Sequence, residues 1–279
     1  MNRIQSKILS IYKCIKLICD KHKIRFFAIG GTSIGAERHN GFIPWDDDLD
    51  IAMPNKDFER FIKICEKELP SNLKIFLPKQ SKHSQCYWAK IHDINTAFLE
   101  KNTYKWDDYK YGVFVDIMPM YGVPNGKEFL KYKKTVHLYR LLSTLRRNSL
   151  SQLTGKAKFL AVLFKPFGLF FKPNYWFDKL ERYQAKYDFD ECDKVGYTWW
   201  YKLSENTIFE RKWFNGYYEL PFEDTSIRCC EGNKYCLTRQ FGDFMKLPPI
   251  ESRTSNHDVL VIDLDNSYMK YNKKGELEL

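Results

Sequence analysis

The spacing of apolar residues predicts that the chain begins with an amphipathic helix. Ile4, Ile8, Ile11, Ile15 and Ile18 recur at intervals of three and four, and lysines and arginines occupy the remaining faces. This period places the isoleucines on one side of a helix, where they can face a core.

Short runs rich in β-branched and aromatic residues follow this helix and predict strands. The predicted strands are 24–29, 48–53, 73–77, 86–91, 97–100 and 112–117. The predicted helices are a short one starting at 32–36, one that follows Asn55 as its N-cap and turns Phe58, Phe61, Ile62, Cys65 and Leu69 inward, and others at 127–147, 175–189 and 235–244. The pattern therefore predicts an α+β fold, with a mixed sheet flanked by helices and a largely helical insert in the middle of the chain.

Composition narrows the class of protein. The 279 residues include 45 Lys and Arg against 35 Asp and Glu, which gives a formal net charge of +10, and 44% of the residues are hydrophobic. This apolar content excludes a disordered chain. The positive balance indicates an anionic partner, which can be nucleic acid, a nucleotide or phosphorylated substrate, or an acidic membrane surface.

The sequence shows neither an export signal nor an apolar run of about 20 residues that would span a bilayer. The eight cysteines are scattered and form no CxxC pair, which favours free thiols over disulfides or a zinc site. We therefore expect a cytoplasmic protein, with peripheral contact to the inner face of the membrane as an option.

The acidic run at residues 44–51, PWDDDLDI, is the most informative segment. Residues i and i+2 of a strand share a face, so Asp48 and Asp50 would project together while Leu49 and Ile51 anchor the strand. Paired carboxylates of this kind suit Mg²⁺ together with phosphate oxygens. The alternatives are a solvated acidic loop and a single Ca²⁺ site; we favour the magnesium site because the apolar neighbours indicate partial burial, and buried carboxylates need a partner.

Two further elements point to the same chemistry. Gly31, Thr32 and Ser33 lie between a predicted strand and a helix start, where backbone N–H groups can approach an anion. Asp116 ends a predicted strand. Each signal is weak by itself, because most such turns are only turns and a strand-terminal Asp is usually a capping residue.

The order of these elements resembles that of the nucleotidyltransferase fold, and the residues of the motifs resemble those of the LicD family. The matching segments are 31–51 (GTSIGAERHNGFIPWDDDLDI), 89–96 (AKIHDINT), 115–120 (VDIMPM) and 237–249 (LTRQFGDFMKLPP). His92 departs from the family, which often has Arg at this position. The resemblance implies a nucleotidyltransferase-type catalytic core at 1–125, a basic, aromatic helical insert at 126–215 and a C-terminal segment at 216–279 that packs back on the core.

The resemblance also implies an activity. Members of the LicD family transfer a phospho-alcohol, typically phosphocholine from CDP-choline, to a sugar hydroxyl of a cell-surface glycan such as lipopolysaccharide or teichoic acid, or to its lipid-linked precursor. The implied metal ligands for one or two Mg²⁺ ions are Asp48, Asp50, Asp116 and Asp46, of which Asp48, Asp50 and Asp116 would be catalytic. The implied phosphate-binding residues are Gly31, Thr32, Ser33, Arg38, His39 and Lys90, with Asp47, Arg253 and His257 as further candidates near the site.

A choline group would need an aromatic cage. Trp45, Trp88, Tyr121, Trp199, Trp200 and Trp213 supply suitable side chains, but the sequence does not select among them. The insert interleaves lysines and aromatic residues at 153–171, which suits either an anionic membrane interface or a helical hairpin packed on the core.

The alternatives to a CDP-alcohol phosphotransferase are a nucleotidyltransferase that transfers NMP and releases pyrophosphate, a glycosyltransferase with a DxD metal site, and a non-enzymatic basic binding module. We expect the partners to be a CDP-linked donor and a glycan or lipid-linked oligosaccharide acceptor, and no nucleic acid, because the most ordered motif is acidic and no nucleic-acid-binding signature is present.

Overall fold

The computed structural model describes residues 1–84, 86–147, 159, 162, 170–197, 205–255 and 257–278. In chain order the elements are α1 (Arg3–His22), β1 (Phe27–Ala28), α2 (Gly30–His39), β2 (Asp50–Pro54), α3 (Asn55–Glu68), β3 (Leu73–Phe76), β4 (Ala89–Asp93), β5 (Ala97–Glu100), β6 (Phe114–Val123), α4 (Gly126–Arg147), α5 (Tyr175–Gln184), β7 (Lys194–Gly196), β8 (Ile208–Glu210), β9 (Tyr217–Phe222), β10 (Thr225–Cys230), α6 (Asn233–Phe241) and β11 (Val259–Asp263). The fold class is therefore α+β, as the sequence predicts.

A mixed sheet forms the centre of the molecule, with the strand order β1-β2-β6-β4-β3. β2 runs parallel to β6, while β1 with β2, β4 with β6 and β3 with β4 are antiparallel. The ten-residue strand β6 is buried along its whole length. Its second half also pairs with β7, which in turn pairs with β8.

One face of this sheet packs against α1 and α3. Ile8, Ile11 and Ile15 of α1 are at most 1% exposed and lie in the same core cluster as Ile51 of β2 and Ile117 of β6. The isoleucine spacing read from the sequence is therefore the buried stripe of α1, and the predicted helix is confirmed. The opposite face carries the polar residues described below and, beside them, a second core cluster that includes Ala52 of β2 and Met118 of β6.

The C-terminal part of the chain returns to this core. β9 and β10 form a hairpin, and Tyr12 of α1 donates a hydrogen bond from its hydroxyl to the carbonyl oxygen of Ser226 (2.9 Å). β11 pairs with β5 in a separate two-stranded sheet. The segment that joins α6 to β11 thereby passes beside the acidic run.

Several boundaries differ from the sequence-based prediction. The strand predicted at 48–53 begins at Asp50, so Asp48 lies in the preceding loop. Asn55 is not an N-cap: Pro54 holds that position, and the Asn55 side chain instead accepts a hydrogen bond from the backbone N–H of Phe189 (3.3 Å). The helix predicted to reach residue 189 ends at Gln184. The strand predicted at 86–91 corresponds to β4, which begins three residues later than predicted, at Ala89.

The region predicted as a largely helical insert also contains two strands. Besides α4 and α5, β7 and β8 lie within residues 126–215 and extend the sheet from β6. Most of the segment 153–171, Trp199 and Trp200 fall outside the described residues.

In the described part of the chain, no helix is both long enough and apolar enough to cross a membrane. All eight cysteines carry free thiols, and six of them are buried.

Candidate active site

Three charged side chains form a row across the middle of the sheet. Asp50 of β2 is the register partner of Asp116 on β6, and Asp116 is the register partner of Lys90 on β4. Register partners on neighbouring strands point to the same side of the sheet. The row therefore brings together residues that lie 26 and 66 positions apart along the chain, on the face opposite α1 and α3.

Lys90 and Asp116 form a buried ion pair. The Lys90 ammonium donates to both carboxylate oxygens of Asp116, at 2.7 and 3.0 Å, and each side chain is only 5% exposed. The Lys90 nitrogen also lies 3.5 Å from the ring centroid of Phe114, which adds a cation–π contact. Although burial opposes the charge, Asp116 raises the pKa of Lys90, so the ammonium stays protonated.

The acidic loop at residues 44–49 leads directly into this row. Its first half is held by Gln5 of α1, whose side-chain amide donates to the carbonyl oxygens of Ile43 (3.2 Å) and Asp46 (3.0 Å). Its end is held to β6, because the Asp116 N–H donates to the carbonyl oxygen of Leu49 (2.9 Å). Although Asp48 is not part of β2, both ends of its loop are fixed to the core.

The start of α2 faces the carboxylates of the loop. A Cβ placed on Gly31 would lie 2.6 Å from Asp46 Oδ2, so a side chain here would displace this carboxylate from its present position. Gly30 has a φ of +54°, a left-handed conformation that glycine adopts without strain. Because the N-terminus of a helix carries a partial positive charge, its position here favours carboxylates and phosphates.

The two hydroxyl residues after Gly31 are used within the protein. Thr32 Oγ1 accepts a hydrogen bond from the Asp50 N–H (2.8 Å), and this contact fixes the start of β2. The Ser33 hydroxyl is fully buried and donates to Asn233 Oδ1 of α6 (2.7 Å). Their side chains thus hold α2 against its neighbours, and the phosphate role expected for them stays a prediction.

Crowding of like charges defines the electrostatics of the site. Burial, and then the neighbouring charges of Asp48 and Asp116, raise the pKa of Asp50 well above its ordinary value. Burial and the charge of Asp48 raise the pKa of Asp46 to about 8. Carboxylates held this close favour binding of a cation.

The residues at this site fit Mg²⁺ in a particular way. Asp50 Oδ1 is shielded from solvent and has no hydrogen-bond partner among the residues that the structure describes. Within the same residues, no three His, Cys, Asp or Glu side chains are already gathered as a metal site. If Mg²⁺ binds here, Asp48 and Asp50 are the residues that would hold it, and substrate phosphate oxygens and water would complete its coordination.

His257 links the C-terminal segment to the acidic loop. Its Nδ1 lies 2.9 Å from Asp47 Oδ1, and its Nε2 lies 3.9 Å from Asp48 Oδ2. The Ser255 hydroxyl donates to the other oxygen of Asp47. Although burial acts in the opposite direction, the hydrogen bond to Asp47 and the charge of Asp48 raise the pKa of His257. Asp47 thus fixes the C-terminal segment over the loop.

A basic group lies on the other side of the loop, around Trp45. Arg38 donates to the carbonyl oxygens of Phe244 (2.7 Å) and Lys246 (3.2 Å), and its Nε donates to His39 Nε2 (3.0 Å). The Arg253 guanidinium lies 5.4 Å from the ring centroid of Trp45. Burial and the neighbouring Arg253 lower the pKa of Arg38. The structure therefore brings Arg38, His39 and Arg253 together as a group that holds the 244–253 segment.

The aromatic residues proposed for a choline cage lie in different environments. Trp45 and Trp213 already contact guanidinium groups, those of Arg253 and of Arg239 at 4.7 Å. Tyr121 is buried within β6, and Trp88 lies near Lys90 (5.9 Å from its ring centroid to Nζ).

Sequence reasoning missed two residues that shape the site. Gln5 lies within the isoleucine stripe of α1 and Ser255 lies two residues before His257. The side chain of each one donates hydrogen bonds from a single group, and the acceptors lie more than 35 positions away in the sequence. The one available signal was Gln5 itself, a polar residue on the face that the isoleucines mark as buried.

Comparison with known proteins supports the resemblance to the LicD family. Residues 23–153 match the sequence model of the family described as "LicD/FKTN/FKRP, nucleotidyltransferase domain". The chain is 29% identical over 268 residues to the lipopolysaccharide cholinephosphotransferase LicD of Haemophilus influenzae, an alignment that covers 89% of this chain and 92% of the relative.

Two less extensive relatives are uncharacterized proteins of Rickettsia. The Rickettsia prowazekii protein is 28% identical over 188 residues (57% of this chain and 69% of the relative), and that of Rickettsia typhi is 28% identical over 184 residues (58% and 59%). The segment that matches the LicD family model contains Asp50, Asp116 and Lys90, and over most of its length the chain is similar to a LicD protein.

Proposed function

We propose that this protein is a Mg²⁺-dependent transferase that moves phosphocholine from CDP-choline to a sugar hydroxyl of a lipopolysaccharide or related glycan, and that its mixed sheet is a nucleotidyltransferase-type core. The observation that carries the proposal is the solvent-shielded oxygen of Asp50, which has no hydrogen-bond partner in the described part of the chain and lies beside Asp48 at the N-terminus of α2. The transferred group and the acceptor follow the name of the Haemophilus relative.

In this proposal each side chain has a distinct task. Asp48 and Asp50 would hold one or two Mg²⁺ ions, which would supply positive charge to neutralise the phosphate oxygens of the donor. The N–H groups at the start of α2 are placed to meet the phosphate oxygens. Asp116 takes the proton of the attacking hydroxyl, and Lys90 keeps Asp116 oriented and adds positive charge.

The reaction balances as an in-line phosphoryl transfer. The acceptor oxygen forms a bond to the phosphorus that carries choline, while the bond from this phosphorus to the oxygen of CMP breaks. The hydroxyl proton passes to Asp116, and CMP leaves with the electron pair of the broken bond. Such a reaction depends mainly on positioning and charge neutralisation, which is the kind of site that buried carboxylates on rigid strands provide.

The test is a transfer assay with CDP-choline, Mg²⁺ and a lipooligosaccharide acceptor. We expect release of CMP and a gain of the mass of phosphocholine on the acceptor. Asp48→Asn and Asp50→Asn should each lower turnover at least about a thousandfold. The matched control, Asp265→Asn, changes an exposed carboxylate and should keep full activity. Pyrophosphate release from CTP without CMP release from CDP-choline would favour a nucleotidyltransferase and overturn the proposal.

A second readout does not depend on turnover. Since Asp50 sits among like charges, Asp50→Asn should raise the melting temperature of the metal-free protein by a few degrees, about 1–2 kcal/mol. Mg²⁺ should raise the melting temperature of the wild type and not that of Asp50→Asn. An equal effect of Mg²⁺ on both proteins would contradict the metal assignment.

A further inference from the structure

The outward face of α4 mixes exposed leucines with lysines. Leu130, Leu138 and Leu141 are 60, 50 and 41% exposed. Residues three, four and seven apart share one side of a helix. The exposed residues on this side are Lys127, Leu130, Lys131, Lys134, His137, Leu138 and Leu141. Leucines that share an exposed stripe in this way mark an interaction surface.

The opposite face of α4 is anchored in the protein. Tyr132 and Val136 are at most 1% exposed and share a core cluster with Leu180 of α5. At the end of the helix, the buried Arg147 donates to the carbonyl oxygens of Ser84 (3.2 Å) and Pro78 (2.9 Å). The helix is therefore held rigidly with its leucines outward, and this orientation is a property of the fold.

Charge indicates what this face meets. α4 carries seven Lys and Arg residues and a single acidic residue, Glu128. Lys127, Lys131, Lys133 and Lys134 are exposed, and no hydrogen bond or ion pair engages them within the described residues. A protein partner would need a matching acidic surface with apolar pockets, whereas an anionic bilayer supplies negative charge above an apolar interior.

The surface extends beyond the end of α4. Arg146 Nε donates to the carbonyl oxygen of Phe171 (3.1 Å), which places Phe171 beside the end of the helix. Phe170, the residue next to this contact, is 86% exposed. An aromatic ring that is almost fully exposed suits the polar boundary of a bilayer.

We propose that the outward face of α4 docks the protein on an anionic membrane surface. The leucines and Phe170 enter the boundary between headgroups and acyl chains, and the lysines extend their aliphatic stems to reach the lipid phosphates. This inference deepens the proposed function and rests on it in one respect. If the acceptor glycan is attached to a lipid, docking on the membrane would bring the protein to its acceptor.

The test is vesicle flotation of the full-length chain. We expect binding to vesicles of phosphatidylglycerol and phosphatidylcholine, and little binding to vesicles of phosphatidylcholine alone. Lys131→Glu/Lys134→Glu should weaken the partition by at least about 25-fold, since each basic residue contributes about a factor of five near such a surface. Leu138→Ser/Leu141→Ser should weaken it by tenfold or more. The matched control, Lys63→Glu/Lys67→Glu, makes the same change of charge on the exposed side of α3 and should bind almost as the wild type.

The transfer assay with a lipid-free glycan acceptor separates this proposal from the proposed function. The α4 variants should keep wild-type turnover on that acceptor, because none of the changed residues belongs to the active site. Absence of vesicle binding by the wild type, or equal loss in the α3 control, would overturn the docking proposal and leave the proposed function standing. Light scattering measures whether the chain forms a dimer that the leucine changes convert to a monomer. Such a dimer would overturn the docking proposal and show that a second copy of the chain covers this face of α4.

Discussion

At the scale of single residues, the Lys90–Asp116 pair combines stability and chemistry. Both side chains are 5% exposed, so removing one partner leaves an uncompensated charge in the core. Lys90→Met should therefore lower the free energy of unfolding by about 3–5 kcal/mol. Lys90→Met/Asp116→Asn should recover most of this loss because no isolated charge remains. Urea denaturation of the wild type, Lys90→Met, Asp116→Asn and the double variant measures the coupling.

An exposed ion pair provides the control for this prediction. Lys101 and Asp258 form an ion pair on the surface, with side chains 54 and 63% exposed. Lys101→Met should cost less than about 1 kcal/mol, because water screens the pair. Equal losses for Lys90→Met and Lys101→Met would show that burial does not govern the Lys90–Asp116 pair.

His92 makes stability depend on pH. Burial and the nearby charges of Lys74 and Lys90 lower its pKa to about 3, and its Nδ1 accepts a hydrogen bond from the Gly112 N–H (3.3 Å). The folded protein therefore keeps His92 neutral, while the unfolded chain takes up a proton as the pH falls below about 6.5. This residue alone should remove about 2 kcal/mol of stability between pH 7 and pH 5.

His92→Asn tests this dependence, since the amide oxygen of Asn can still accept the Gly112 N–H without titrating. The variant should show a smaller loss of stability than the wild type between pH 7 and pH 5 in urea denaturation. His137→Asn, a change on the exposed side of α4, should keep the wild-type dependence. The same slope in the wild type and in His92→Asn would contradict the assignment.

The same residues show how much of the site sequence could predict. Asp50, Asp116 and Lys90 come together because the register of three neighbouring strands aligns them. The apolar residues that flank each of them in the sequence are the signal that predicts these strands. The positions of Gln5 and Ser255 depend on how separate segments pack in three dimensions, which no local pattern records. The roles expected for Arg38, His39 and Arg253 remain predictions, although the structure places the three together.

At the scale of elements, two of the three glycines of α2, Gly31 and Gly35, serve different purposes. A Cβ on Gly31 would meet the Asp46 carboxylate at 2.6 Å, whereas a Cβ on Gly35 would meet the backbone oxygen of Gly41 at 2.4 Å. A side-chain carboxylate can move aside, but a backbone carbonyl held between elements cannot do so cheaply. Gly31→Ala should thus mainly affect the site, and Gly35→Ala should mainly affect the fold.

The expected result is a contrast between two measurements. Gly31→Ala should lower phosphocholine transfer at least about tenfold and change the unfolding free energy by less than about 1 kcal/mol. Gly35→Ala should cost about 1–3 kcal/mol in denaturant unfolding, as overpacking does. Full activity in Gly31→Ala would show that the position of Asp46 does not matter to the reaction.

Elements with a clear local pattern were predictable, and the three-residue strands β7 and β8 were not. α1 was evident from five isoleucines, and β5 coincides with the predicted segment 97–100. β7 and β8 have three residues each, and they are strands only because β6 extends far enough to pair with β7. Asn55 shows a related limit: its side chain is used by Phe189, a residue 134 positions away.

At the scale of the whole molecule, the net charge of +10 hides an uneven distribution. The carboxylates that define the site lie in one loop and two adjacent strands, while α4 carries seven basic residues and one acidic residue. Composition alone allowed nucleic acid as the anionic partner. The placement of the charges favours two separate anionic partners instead, a phosphorylated donor at the sheet and a lipid surface at α4.

The molecule also closes its site with chain segments from opposite ends. The acidic loop at 44–49 is held from below by Gln5 and from the other side by Ser255 and His257 through Asp47, while Arg38 holds the carbonyl oxygens of Phe244 and Lys246. These contacts join the loop to the segment at 244–257. A ligand that orders the loop should therefore order this segment as well. Mg²⁺ with CDP-choline should therefore slow amide hydrogen exchange in both segments together.

Hydrogen exchange followed by mass spectrometry measures this coupling. The α3 peptide at 60–68, which does not contact the loop–segment junction, serves as the internal control and should keep its exchange rate. His257→Gln removes the titrating ring that joins Asp47 and Asp48, and it should reduce the protection at 244–257 while the acidic loop remains protected by the donor. Protection of the acidic loop alone in the wild type would show that the C-terminal segment packs beside the site without being coupled to it.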